Sequence, residues 1–189
     1  MRSPGKLSRR ATYDDILNLP DNMVGEIVDG ELFASPRPSA KHAAAASRLL
    51  SEIDGPFHSG KGGGPGGWWF IMEPELHLNE QVLVPDLAGW KKTRMPKIPD
   101  AAYFELVPDW VCEVLSPSNL QLDRIKKVPK YAECSVKHLW LVDPIARTLE
   151  VLRLEKRNWL LIQTFSENDN FRAEPFEAME FALSSLWGD

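Results

Sequence analysis

Two acids stand where hydrophobic patterning alone would not put them. Glu113 interrupts the apolar run Trp-Val-Cys-Glu-Val-Leu at 110–115, and Ser-Pro-Ser at 116–118 then stops it. Trp110, Val111 and Val114 are strand formers, so the run predicts a strand. A carboxylate buried without a partner costs several kcal/mol, so Glu113 in a buried strand needs a cation, a donor network or water. The plainer alternative is a half-exposed strand with Glu113 solvated. Asp86 repeats the pattern in Val-Leu-Val-Pro-Asp-Leu-Ala-Gly-Trp at 82–90. Pro85 removes an N–H just before it, which suits a strand edge or a bulge that re-aims a side chain. Two such strands, paired, bring both acids to one point. One or two carboxylates with waters and a substrate phosphate are what Mg²⁺ or Mn²⁺ takes.

Other candidates need positioning by their own elements. Residues 42–53 carry Ala46, Leu49, Leu50 and Ile53 at helical spacing with Ser39 as cap, so a helix is predicted and His42 leads its inward stripe. A core histidine with a satisfied ring is the alternative there. Asp123, Lys127 and Tyr131 recur every four residues in 119–134 and share a face of a second helix. Pro129 kinks that helix or lies near its start. Arg124, Lys126, Lys127 and Lys130 form the densest basic cluster, which alternatively is a solvated face.

Around these, Thr12 to Asp15 reads as a capping box opening a short helix. Residues 25–33 read as a hairpin turning at Asp29-Gly30, and 35–39 as a rigid loop. Residues 59–67 hold six glycines with no strand leading in and no helix leading out, hence a flexible excursion rather than a phosphate loop. Residues 68–78 read as one strand, 91–99 as a basic loop that is solvated or, alternatively, touches phosphates, 137–143 as a strand, and 148–154 with 159–165 as an antiparallel pair. A short helix near 183–187 closes the chain. The order is α/β with mixed strand directions.

At 189 residues the chain suits one domain of 12–189, preceded by a basic tail at 1–11 that is expected to be disordered. No apolar run approaches the roughly 20 residues of a membrane helix, and the basic N-terminus lacks the apolar segment of a secretory signal. Two distant cysteines make neither a disulfide framework nor a zinc motif, and a cytoplasmic setting fits them. A net charge of −5 argues against constitutive nucleic-acid binding through bulk electrostatics but leaves room for an enzyme with a local basic patch, since acids clustered at a metal site contribute to that charge.

Taken in order, Glu26 in Glu-Ile-Val-Asp-Gly-Glu, His42 opening a helix, Pro85-Asp86, Glu-Val-Leu-Ser-Pro-Ser at 113–118, Asp123-Arg-x-x-Lys127-x-x-x-Tyr131 and Leu-Trp-Leu-Val-Asp-Pro at 139–144 resemble the Uma-type family of the PD-(D/E)XK nuclease superfamily. The resemblance spans about residues 12 to 187. It implies a restriction-endonuclease-like fold, a mixed central sheet flanked by helices with additional antiparallel strands. It also implies a divalent-metal endonuclease acting on nucleic acid, DNA foremost. By this resemblance Asp86 and Glu113 hold Mg²⁺ or Mn²⁺. Leu115 stands where the superfamily pattern has its lysine, and Lys127 on the following helix takes that place. Glu26 supplies a further ligand or base, and His42 bonds Glu26 or the phosphate. A second departure is Cys134-Ser135-Val136, where the family has an alanine and a glycine before the valine. A non-catalytic relative that binds nucleic acid or a protein partner is the rival reading, because a fold does not by itself supply a function. A two-fold dimer is the base-rate expectation for assembly.

Overall fold

The computed structural model describes residues 9–188. Of the tail expected over 1–11, residues 1–8 lie outside them. Arg9, Arg10 and Ala11 are held: Arg9 pairs with Asp15, Arg10 with Glu80, and the Ala11 N–H donates to the Gly30 carbonyl.

Helix α1 (Tyr13–Leu17) opens on the Thr12/Asp15 capping box. Strands β1 (Met23–Val28) and β2 (Glu31–Pro36) form the hairpin. Its two-residue turn needs positive φ at both positions, and Asp29 and Gly30 have φ of 55° and 78°. Helix α2 (Ala40–Ile53) is capped by Ser39, which accepts the His42 N–H. β3 (Trp68–Met72), β4 (Leu76–Leu78), β5 (Gln81–Leu83), β6 (Leu87–Lys91) and β7 (Trp110–Val114) follow. A wide π-type segment (Leu122–Lys127) then runs into α3 (Val128–Glu133). β8 (His138–Asp143), β9 (Thr148–Glu155), β10 (Asn158–Ser166), β11 (Asn170–Phe171) and β12 (Phe181–Ala182) complete the chain, with a 3₁₀ turn at Leu183–Leu186.

Six strands form a mixed sheet in the order β10-β9-β8-β7-β6-β3, parallel only between β7 and β8. Four more form an antiparallel sheet in the order β2-β1-β5-β4. On one face of the large sheet, Trp110, Cys112, Val114 and Trp140 pack against Ala45, Ala46, Leu49 and Ile53 of α2. On the other, Ala88, Trp90, Val111, Leu139 and Leu141 meet Val28, Leu76 and Leu83 of the small sheet and Tyr131 of α3. Helices therefore flank the central sheet unequally. α2 covers one face; the small sheet and 122–133 cover the other.

The single strand expected over 68–78 is two strands in different sheets. Glu73 between them has φ 44°, a left-handed turn that ends β3 before Pro74. Both cysteines are free and buried, and among the described residues no helix is long and apolar enough to cross a membrane.

Candidate functional site

Strand alternation decides which way Glu113 points. Trp110, Cys112 and Val114 face α2, so Val111 and Glu113 face the small sheet. Leu87 pairs with Cys112 across the antiparallel β6–β7 ladder. One step further along that register sets Asp86 opposite Glu113, on the same face. Asp86 belongs to the three-residue link that carries the chain from β5 in the small sheet to β6 in the large one. Glu26 comes from β1 of the small sheet. The three acids thus meet at the seam between the sheets, and the solvated alternative for Glu113, 1% exposed, is excluded.

Lys127 enters this seam from the wide helical segment and is 2% exposed. Its Nζ lies 2.9 Å from Glu26 Oε1 and 2.9 Å from Glu113 Oε1. It is 3.4 Å from Asp123 Oδ1 and donates to the Val84 carbonyl at 3.0 Å. The Val84 N–H donates to Glu26 Oε1 at 2.7 Å. Tyr131 donates its hydroxyl to Glu113 Oε1 at 2.5 Å. The segment reaches this aim by widening its turn: the Val128 N–H bonds the Asp123 carbonyl five residues back. Pro129, with no N–H, then sits in the first turn of α3. Such wide turns are frequent at functional positions.

Asp86 is held apart from the ammonium. Its Oδ1 lies 2.6 Å from His42 Nε2, and its Oδ2 accepts the Val114 N–H at 2.6 Å. Lys127 therefore contacts Glu113 rather than the Asp86/Glu113 pair as a whole. Of the five residues singled out from the sequence, Glu26, His42, Asp86, Glu113 and Lys127, all border one cleft of about 40 Å³, room for about three waters. Sequence reasoning left Asp123 and Tyr131 outside the site, although their spacing with Lys127 was the signal that pointed there. It gave no sign of Glu73, whose left-handed backbone sets it on the cleft wall.

The electrostatics follow from burial. Desolvation pushes Glu113 well above the usual carboxylate range, opposed by Lys127 and reinforced by Asp123, Asp86 and Glu26. Burial raises Asp123 to about 6, again against the pull of Lys127. Burial would lower Lys127, but Glu113 and Glu26 outweigh it and hold the ammonium charged. Burial would likewise lower His42, and its bond to Asp86 reverses the sign, so the imidazole is raised. Burial and Glu113 keep the Tyr131 phenol protonated, as a donor must be. Four carboxylates face one buried ammonium, and burial favours the protonated forms of Glu113 and Asp123, a preference that a divalent cation would oppose. Among the described residues no three His, Cys, Asp or Glu side chains form a ready-made metal cage; Mg²⁺ asks for only one or two carboxylates.

The sequence model of the Uma2 family, described as "Putative restriction endonuclease", matches residues 12–184. The chain belongs to this family. Among solved structures it resembles one titled as a "putative nuclease belonging to DUF820" from Anabaena variabilis ATCC 29413, with a TM-score of 0.75 and 23% identity over 94% of this chain and 97% of that one. At that identity the likeness establishes the fold, restriction-endonuclease-like as the family match implies. No curated protein matches the chain.

Proposed function

We propose that this Uma2 protein is a divalent-metal-dependent endonuclease that hydrolyses nucleic-acid phosphodiester bonds at the cleft between its two sheets. The observation that carries this reading is the buried Lys127 ammonium set against Glu113 and Glu26, with Asp86, one residue before the strand that pairs with β7, on the same cleft. The donors suit a hard cation: they are carboxylate oxygens, they carry more negative charge than Lys127 neutralises, and each carboxylate has lone pairs beyond those already bonded. Asp86 and Glu113 would hold Mg²⁺ or Mn²⁺. When bound, the ion polarises the phosphate and lowers the pKa of a coordinated water.

The protein's own groups do the rest. Lys127 offsets charge that develops on the phosphoryl oxygens and orients the attacking water. Glu26 can accept that water's proton through its place beside Lys127. His42 is a positioning residue: with the Val114 amide it fixes both oxygens of Asp86. DNA is the first substrate to try, in the cytoplasm, and a homodimer is the assembly to look for.

Plasmid nicking with Mg²⁺ or Mn²⁺, by wild type and Asp86→Ala, is the direct test. Metal-dependent nicking that Asp86→Ala abolishes, with metal affinity lost in a parallel titration, supports the proposal. Metal-independent or absent nicking sinks it. The rival non-catalytic reading draws on the same Lys127, whose three donors are already engaged by protein acceptors.

A further inference from the structure

A second cavity, of about 290 Å³, adjoins the cleft and shares His42 with it. Its composition is the opposite of the cleft's. The cleft is walled by carboxylates. The second cavity has none: its charge comes from Lys41 and its body from Leu115, Pro117, Pro144 and Ile145. The amino end of α2 forms one side of it. That helix has 14 residues and no acid in its first turn, so its positive end is not neutralised locally. Helix geometry leaves the amides of Ala40 and Lys41 without intrahelical acceptors. His42 is 6% exposed, and the ring nitrogen not used by Asp86, Nδ1, is buried without a hydrogen-bond partner among the described residues. The opposite side is apolar and open: Ile145 is 68% exposed at the tip of the β8–β9 turn.

A ligand that fits must carry an anion at one end and an apolar, flat body at the other, and must continue into the cleft. From this geometry we infer that the cavity is a subsite for the nucleotide next to the scissile phosphate. Its own phosphate lies against Lys41 and the α2 amino end, and its sugar and base lie on Pro117, Pro144 and Ile145. This rests on the proposed nuclease reading but adds a base-contacting element that the cleft does not contain. It assigns substrate grip to the Ser-Pro-Ser and Asp-Pro-Ile turns, which otherwise only end β7 and β8.

The test is fluorescence anisotropy of the full chain with a labelled dT12 and with an abasic 12-mer of the same backbone, in EDTA so that cleavage does not interfere. Wild type is expected to prefer dT12 by about tenfold, the scale of one base contact. Ile145→Ser, at an exposed turn, should lose that preference while binding the abasic strand as wild type does. Lys41→Gln should weaken both strands equally and make the log–log salt dependence shallower by about 0.7. An Ile145→Ser protein that keeps the preference overturns the subsite, even if plasmid nicking succeeds and the cleft proposal stands. Wild type that binds neither strand also overturns the subsite, while the nuclease reading is decided separately by metal-dependent plasmid nicking.

Discussion

Replacing Lys127 by methionine removes the ammonium shared by Glu26, Glu113 and Asp123 while filling most of its volume. Nicking by Lys127→Met is expected to fall roughly 100- to 1,000-fold, with metal binding kept. Lys126→Ala, whose ammonium is 3.7 Å from an exposed Glu31, should change the rate little. Equal, mild effects would reduce the basic cluster to a solvated or phosphate-steering face. Lys127→Met should also lower stability, because breaking a buried pair by removing one partner costs about 3–5 kcal/mol; proton uptake by the acids left behind softens that loss. Tyr131→Phe separates structure from chemistry. It deletes the hydroxyl that donates to Glu113 Oε1 and is expected to cost about 1–3 kcal/mol in thermal or urea unfolding. Nicking should stay within about tenfold of wild type, since Lys127 and Asp86 are untouched. A Tyr131→Phe protein as inactive as Lys127→Met would move the phenol into the chemistry.

Each element reaches the site through a local device, and the devices differ in how visible they are in sequence. The β1–β2 hairpin presents Glu26 and depends on Gly30, whose φ is +78°, and whose added Cβ would lie 2.8 Å from Arg10 Nε. Gly30→Ala should therefore cost about 1–2 kcal/mol. Gly55→Ala, where an added Cβ meets nothing within 4 Å, should be neutral or gain up to about 1 kcal/mol. Thermal unfolding checks both, and equal Tm values would show that the hairpin turn is not strained by a side chain. Asp29-Gly30, the Thr12/Asp15 box and the Ser39 cap were legible because each is a short-range rule about backbone donors. Glu113 and Asp86 were legible because a lone acid in an apolar strand conflicts with burial. The break at Glu73 was not, because the apolar alternation runs through it and only the competition between two sheets for 68–78 decides it. Nor was the wide turn at 122–127. Four-residue spacing placed Asp123, Lys127 and Tyr131 on one face, but the extra residue in the turn depends on packing against the seam.

For the molecule as a whole, the seam puts a cluster of like charges between two apolar cores, and this makes its stability depend on pH and metal together. Asp123 has its folded pKa raised to about 6 from an ordinary 3.8, and Glu113 is raised as well, both chiefly by burial. A group raised on folding contributes stability that is complete below its unfolded pKa and is lost as pH rises through the folded one. His42, raised above 6.5, acts in the same sense at somewhat higher pH. Lys127 is also raised, but its contribution is complete below 10.5 and so is constant in this window. The metal-free protein should thus be more stable at pH 5 than at pH 8. Between pH 5 and pH 8 Asp123 alone accounts for up to about 1.4 kcal/mol, the rest of its shift being lost below pH 5, and this is reduced by whatever solvent relaxation the cleft allows; it amounts to a few degrees in Tm for a domain of this size. Ionising the acids is also what prepares them for a divalent cation, so Mn²⁺ should raise Tm more at pH 8 than at pH 5. Asp123→Asn should flatten the metal-free pH profile while leaving a metal-induced rise through Asp86 and Glu113. Scanning calorimetry in EDTA and in Mn²⁺ at the two pH values measures all of this. A metal-free Tm that climbs from pH 5 to pH 8 would mean that the seam acids are fully compensated by Lys127 and its hydrogen bonds. The cleft would then have no electrostatic need for a metal.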